Sequence, residues 1–168
     1  IENIIKKFSK GKKKKPYHSE NIIKFNYENK VEKMAIAYKW LFITENILRD
    51  LIRQVIGNDS GWWEKRVPVG VRGEVDKTIK RSKYDDAARK DNLEYTNIGQ
   101  LKEIIIHNWK NFEPFLRSGD KSNFEHELKK VISPRNAIGH CIPLVGDDYK
   151  YAEMRFKSVL KLIRGWKK

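Results

Sequence analysis

One run of helical periodicity constrains this chain more than any other feature. Between Glu28 and Ile56 the apolar residues Val31, Met34, Ala35, Tyr38, Leu41, Phe42, Leu48, Ile52 and Val55 recur three or four positions apart. That spacing lines them along one side of a long helix. Such a stripe must be buried against other elements, and the remaining sequence supplies helices for the purpose.

The segment Gly57 to Gly61 (GNDSG) offers residues that tolerate positive φ and ends the first helix, and Trp62 and Trp63 then read as apolar plugs closing one end of a bundle. Pro68, Gly70 and Gly73 mark a further turn, followed by a charge-laced helix over Glu74 to Lys90. Asn97 precedes a helix running to about Leu116, with Ile104, Ile105, Trp109 and Phe112 as its buried stripe. A turn near Gly119 leads into a helix over Ser122 to Cys141, and Asp147 or Asp148 caps a last one from Tyr149 to Trp166. With no convincing strand and short loops, the expectation is an all-α, four- to five-helix bundle whose neighbouring helices run antiparallel.

At 168 residues the chain has the length of one domain. Ser9 to Tyr17 (SKGKKKKPY) combines glycine, proline and mutually repelling lysines, as an exposed linker does. We therefore divide the chain into 1–27, a basic linker or the end of a preceding element, and 28–168, the bundle. The start at Ile1, without a secretory signal, is expected to mark a fragment with a domain upstream.

A net charge of +14, from 36 Lys and Arg against 22 Asp and Glu, attracts polyanions and makes nucleic acid the first partner to consider. Lys12, Lys13, Lys14 and Lys15 are the candidate nucleic-acid contacts of the N-terminal extension. The apolar stretch from Met34 to Ile43 is broken by Lys39 and too short to cross a bilayer. Cys141 is the single cysteine, which excludes an intrachain disulfide and a multi-cysteine zinc site and suits a reducing cytoplasm; its thiol is expected to fill a small space in the core. His18, His107 and His126 are isolated, so neither a metal nor another cofactor is expected.

Chemistry concentrates in Ser133 to Cys141, SPRNAIGHC. Metal-free cleavage of RNA needs a base for the ribose 2′-OH, a cation for the charge of the phosphorane and an acid for the leaving 5′-oxygen. Histidine titrates near neutrality and can take either proton-transfer part, while a guanidinium stays charged and offers phosphate a planar donor fork. On a regular helix Arg135 and His140 lie about 7.5 Å apart along the axis and roughly 140° apart around it, so within one chain they diverge. Asn136 shares the face of His140, and a two-fold axis brings both copies of Arg135 and His140 around one cleft. Glu45 falls on the apolar side of the first helix, between Leu41 and Leu48, where a carboxylate needs a partner. Arg49 is the local partner and Arg135 the distant one, and a network of all three is expected. Pro134 is expected to kink its helix and re-aim Arg135. Taken alone, the same residues also suit a structural histidine and an ordinary ion pair, and spacing does not decide between the readings.

Four ordered blocks, FITENILRDLI, GWWEKRVP, YTNIGQLKEII and SPRNAIGHC, resemble the HEPN superfamily. The branch is one also found at the C-terminal end of a eukaryotic transcript-surveillance endoribonuclease and in bacterial multidomain proteins. Arg135-Asn136-Ala137-Ile138-Gly139-His140 fits that family's signature of Arg, a polar residue, a few intervening residues and His on the penultimate helix. The resemblance covers about Tyr38 to His140 and implies a metal-independent endoribonuclease working by 2′-OH transesterification at a homodimer interface. It further implies service in phage defence, a toxin system with an antitoxin partner, or RNA turnover. Residue by residue, it implies that Arg135 binds the scissile phosphate, His140 handles the proton, Asn136 orients the site, and Glu45 and Arg49 support them. The alternative is a catalytically silent dimerisation or RNA-binding module of a larger protein. A DNA-binding domain ranks lower, because no helix-turn-helix with a basic recognition helix is evident.

Overall fold

The computed structural model describes residues 27–82, 91–117 and 120–166. Lys12 to Lys15 lie outside these, as does the linker expected upstream of Tyr27. Helix α1 spans Glu28–Ile56, the whole periodic window. Its buried side is not the one that the full list of apolar residues suggests. Ala37, Leu41, Thr44, Leu48 and Ile52 face inward, whereas Val31 (62% exposed), Ala35, Tyr38 and Phe42 (57% exposed) face out. At about 100° per residue the two sets lie on different flanks of one cylinder. α1 therefore carries two apolar stripes, and only one is covered by the bundle.

Gly57 closes α1 at φ −72, so the left-handed position falls instead to Gly61 at φ 68. Gly61 turns the chain into the short α2 (Trp62–Arg66), whose two tryptophans pack edge to face at 5.4 Å, half-buried against the core. α3 spans Val69–Arg81 and begins earlier than expected. Pro68 sits at its N-cap, which leaves Gly70 and Gly73 inside the helix rather than in a turn. A proline just ahead of the first turn sacrifices no helical hydrogen bond. Val71 and Val75, one turn apart, are its buried contacts; residues 83–90, the rest of the expected helix, lie outside the described ones.

Asp91 opens a short turn over Asn92–Tyr95 that leads to α4 (Ile98–His107). Asn97 and Gln100 form a reciprocal cap: the Asn97 side chain accepts from Gln100 N–H at 3.3 Å, and Asn97 N–H donates to Gln100 Oε1 at 2.9 Å. The expected single helix to Leu116 is split at Asn108. Its amide donates to the carbonyls of Ile104 and Arg66, both at 2.8 Å, and ties the break to α2. A four-residue α5 (Trp109–Phe112) and a turn containing Pro114 follow. Helix α6 spans Lys121–Gly139 and runs without a break through Pro134; α7 spans Asp148–Lys161 and begins after Asp147, whose side chain makes no capping bond.

Lys33 lies over the ring of Tyr149 and Lys157 over that of Trp40, so α7 packs along α1 in the same direction. α1 and α7 are the first and last helices in sequence, so this parallel pair falls outside the expectation of antiparallel neighbours. Phe112, Phe124 and Phe156 form the fully buried centre with Leu48, Ile52, Leu101 and Ile104. The fold is an all-α bundle of five longer and two short α-helices, with no strand, among the described residues. None of these helices is long and apolar enough to cross a membrane.

Leu48→Ala should lower the free energy of unfolding by about 2–5 kcal/mol in urea titrations, as expected where a fully buried side chain leaves a cavity. Asn97→Ala, which opens the reciprocal cap without touching the core, should cost about 1 kcal/mol in the same assay.

Candidate active site

Glu45 sits at the edge of the buried side of α1, with its side chain 14% exposed, and its two oxygens meet groups from three helices. Oε2 accepts from Arg49 Nη2 at 2.9 Å. Oε1 accepts at 3.1 Å from the backbone N–H of Ile98, the first residue of α4, and lies 3.6 Å from Nε of Arg135 on α6. A carboxylate at a helix N-terminus occupies a donor that the helix itself leaves unbonded and meets the positive end of its dipole. Glu45 thus joins α1, α4 and α6 at one point; its approach to Arg49 and Arg135 is the network expected from the sequence, and the bond from Ile98 at the start of α4 is additional.

Arg49 is buried and committed to structure. Its Nε donates to Leu93 O at 3.0 Å and its Nη2 to Thr96 O at 2.7 Å, which fixes the segment entering α4. One turn on, Arg53 reaches Asp91 at 2.7 Å and Glu94 at 3.3 Å; its hydrogen bond to Asp91 raises its pKa further above the ordinary arginine value.

Arg135 is held more loosely. The 3.6 Å separation from Glu45 is ion-pair range but too long for a hydrogen bond, and the buried Nε has no hydrogen-bond partner. Nη1 makes one weak contact, 3.4 Å to Oδ1 of the exposed Asn136. Two guanidinium groups share the single carboxylate of Glu45. The cluster therefore keeps a positive charge, and Arg135, with its side chain 29% exposed, is the member that can offer it to an anion.

α6 stops at Gly139, one residue before His140, which serves as the C-cap at φ −97 and is exposed to solvent. Cys141 follows at φ 54. Its N–H bonds Ile138 O at 3.1 Å and the N–H of Ile142 bonds Ala137 O at 2.9 Å, the two crossed bonds of a Schellman turn. Cys141 is exposed, not buried as a core filler: the turn lifts it from the helix surface into the left-handed position that glycine normally takes. The turn begins only after His140, whose N–H still donates to Asn136 O at 3.0 Å, so Arg135 and His140 of one chain keep the divergence that a regular helix gives them. The guanidinium of Arg135 folds toward this end, and a Cβ placed on Gly139 would stand 3.7 Å from its Nη1.

Beside the turn lies an apolar groove of about 410 Å³ between α1 and α6, lined by Tyr27, Val31, Met34, Tyr38, Ile138 and Pro143 among others. Tyr38 extends it along α1 to Phe42, with ring centroids 6.4 Å apart. The outward stripe of α1 thus runs alongside the Arg135–His140 end of α6.

Among the described residues no three His, Cys, Asp or Glu side chains stand close enough to hold a metal ion. Of the candidates from sequence, Glu45, Arg49, Arg135 and Asn136 come together; His140 stands at the adjoining helix end and Lys12 to Lys15 are outside the described residues. Gly139, the turn at Cys141 and the outward stripe were not singled out. The stripe had a signal, the 4-3-4 spacing of Val31, Ala35, Tyr38 and Phe42. No family model, curated protein or solved structure matches the chain.

Glu45→Ala should destabilise the fold by about 3 kcal/mol, because it leaves Arg49 and Arg135 without their carboxylate. Cys141→Gly should stabilise it by about 1 kcal/mol by relieving the left-handed backbone. Urea denaturation monitored by circular dichroism reads both.

Proposed function

We propose that the chain is a HEPN-type domain that cleaves RNA without a metal ion, at a site formed where two copies meet along α1 and α6. The observation that carries this reading is an arginine whose charge is only partly met, its guanidinium beside Gly139 at the helix end that the exposed His140 caps. Arg135 holds the scissile phosphate and stabilises the charge that grows on it. His140 of one protomer accepts the 2′-OH proton as O2′ bonds to phosphorus, and His140 of the other donates a proton to the 5′-oxygen as the P–O5′ bond breaks. The products are a 2′,3′-cyclic phosphate and a free 5′-hydroxyl. Asn136, weakly bonded to Arg135, steadies the guanidinium, while Glu45 and Arg49 fix α6 against α1 and α4.

A second copy suits the groove, whose lining is apolar apart from Lys30 and which continues into the exposed Tyr38 and Phe42. A two-fold contact there sets two copies of the motif side by side. The net charge of +14 favours RNA as the substrate polyanion. Phage defence, a toxin system restrained by an antitoxin, or RNA turnover in the cytoplasm are the settings this activity fits.

Purified protein incubated with total RNA in EDTA should yield fragments ending in 2′,3′-cyclic phosphate. Arg135→Ala and His140→Ala should each slow cleavage by about 100-fold or more. Tyr38→Glu should sediment as a monomer and lose cleavage with it. Cutting by both motif variants at the parental rate would remove the nuclease assignment, and RNA binding without cleavage by any version would return the silent-module reading.

A further inference from the structure

Gly139 and Cys141 flank His140, and each stands where backbone physics favours the other. The left-handed position of the turn holds Cys141, at φ 54. Gly139 lies two residues earlier, as the last residue of α6, where the backbone is still helical and glycine has no conformational advantage over alanine. Its surroundings make no steric demand either. Gly139 is exposed, and outside its own helix backbone and chain neighbours a Cβ there would meet only Arg135, at 3.7 Å from Nη1 and 3.8 Å from Cζ. Those are ordinary van der Waals distances, so alanine fits. The missing side chain has one local effect: it leaves the guanidinium uncovered on the side of the helix surface.

We propose that Gly139 is the port through which a phosphodiester of single-stranded RNA reaches Arg135. The inference rests on the RNA-cleaving reading above and adds the residue that admits the substrate. Glu45 faces the Nε of Arg135 from the inner side, and among the described residues Nη1 has only the 3.4 Å contact to Asn136, so the Nη end keeps donors for an incoming anion. A phosphate crossing the bare Cα of Gly139 meets that end and arrives beside His140, the next residue in the chain. A methyl group at position 139 narrows this approach; an isobutyl group fills it. Close approach of a ligand to the backbone is one of the uses to which glycine is suited.

The test is a double-mutant cycle on the full chain. Parent, Gly139→Ala, Gly139→Leu, Arg135→Ala and the Arg135→Ala/Gly139→Leu combination are titrated with a fluorescent single-stranded RNA whose riboses are 2′-O-methylated, so that it cannot be cut. Gly139→Leu should weaken binding about tenfold or more, as loss of one charge-assisted phosphate contact would. The combined variant should bind no more weakly than Arg135→Ala alone, because the leucine acts only by covering the guanidinium. Both position-139 variants should unfold at a higher temperature than the parent, which separates lost binding from lost fold. Parental binding by Gly139→Leu, or losses that add in the combined variant, would overturn the port. So would sedimentation showing that leucine breaks a parental dimer, since that assigns the glycine to the contact between copies. Cleavage of unmodified RNA without coupling in the cycle removes the port alone. Coupling without cleavage keeps the port and removes the nuclease reading, and failure of the parent to bind RNA removes both.

Discussion

The arrangement depends on a single buried carboxylate. Glu45 projects from the middle of the longest helix, and the N-terminus of α4, Arg49 and Arg135 all converge on it. An unpaired carboxylate at that depth would be strongly unfavourable, and each partner meets part of the need by a different route: a backbone dipole, a hydrogen-bonded ion pair and a longer-range charge. The inequality among them matters. Arg49 closes its hydrogen bonds onto Leu93 and Thr96 and becomes part of the scaffold. Arg135 arrives third, finds Oε1 already accepting from Ile98, and is left close to the carboxylate but not bonded to it. A charge in that position is oriented without being neutralised, which is what an anion site requires.

Much of this was legible in the chain because the controlling signals are local. Glu45 and Arg49 are one turn apart, and a carboxylate between Leu41 and Leu48 announces its need for a partner. Asn97 and Gln100 spell a helix start three residues apart. What stayed hidden required knowing which flank of a helix is covered. Val31, Ala35, Tyr38 and Phe42 repeat at helical spacing just as Leu41, Leu48 and Ile52 do, and sequence alone merges two stripes into one. Only the positions of α4, α6 and α7 around α1 separate them. The break at Asn108 was hidden for a similar reason: its amide binds Arg66, 42 residues away, and no pattern within α4 reports that.

The turn at His140 shows where local rules fail and why. A Schellman turn calls for glycine at its left-handed position, and the sequence has glycine two residues early. Read as punctuation, Gly139 marks a helix end, and the helix does end there, but the conformational burden rests on Cys141. Both substitutions that would restore the rule are sterically available, and both would favour stability. Departures of this kind, where each neighbour of one residue is suboptimal in a compensable way, are one of the grounds on which the proposed reading of this helix end rests. Here the residue between them is His140.

Charge and shape then bear on one another through α1. Each copy has a net charge of +14, so two copies repel until ions or a polyanion screen them. A contact face crowded with lysine would add short-range repulsion, whereas among the described residues the groove beside the motif has Lys30 as its one charged lining residue and is otherwise apolar. On the proposed reading, association through that face would add little repulsion at the contact itself and would leave most of the positive charge outside it. On the same reading, an RNA strand lying across the joined motif ends would neutralise part of that outer charge and so favour pairing. Pairing and substrate binding would then be linked equilibria, each strengthening the other by the same factor. The helix that carries Glu45 inward is the one that carries Tyr38 and Phe42 outward, so the alignment of Arg135 and the surface available to a second copy are properties of one rigid element.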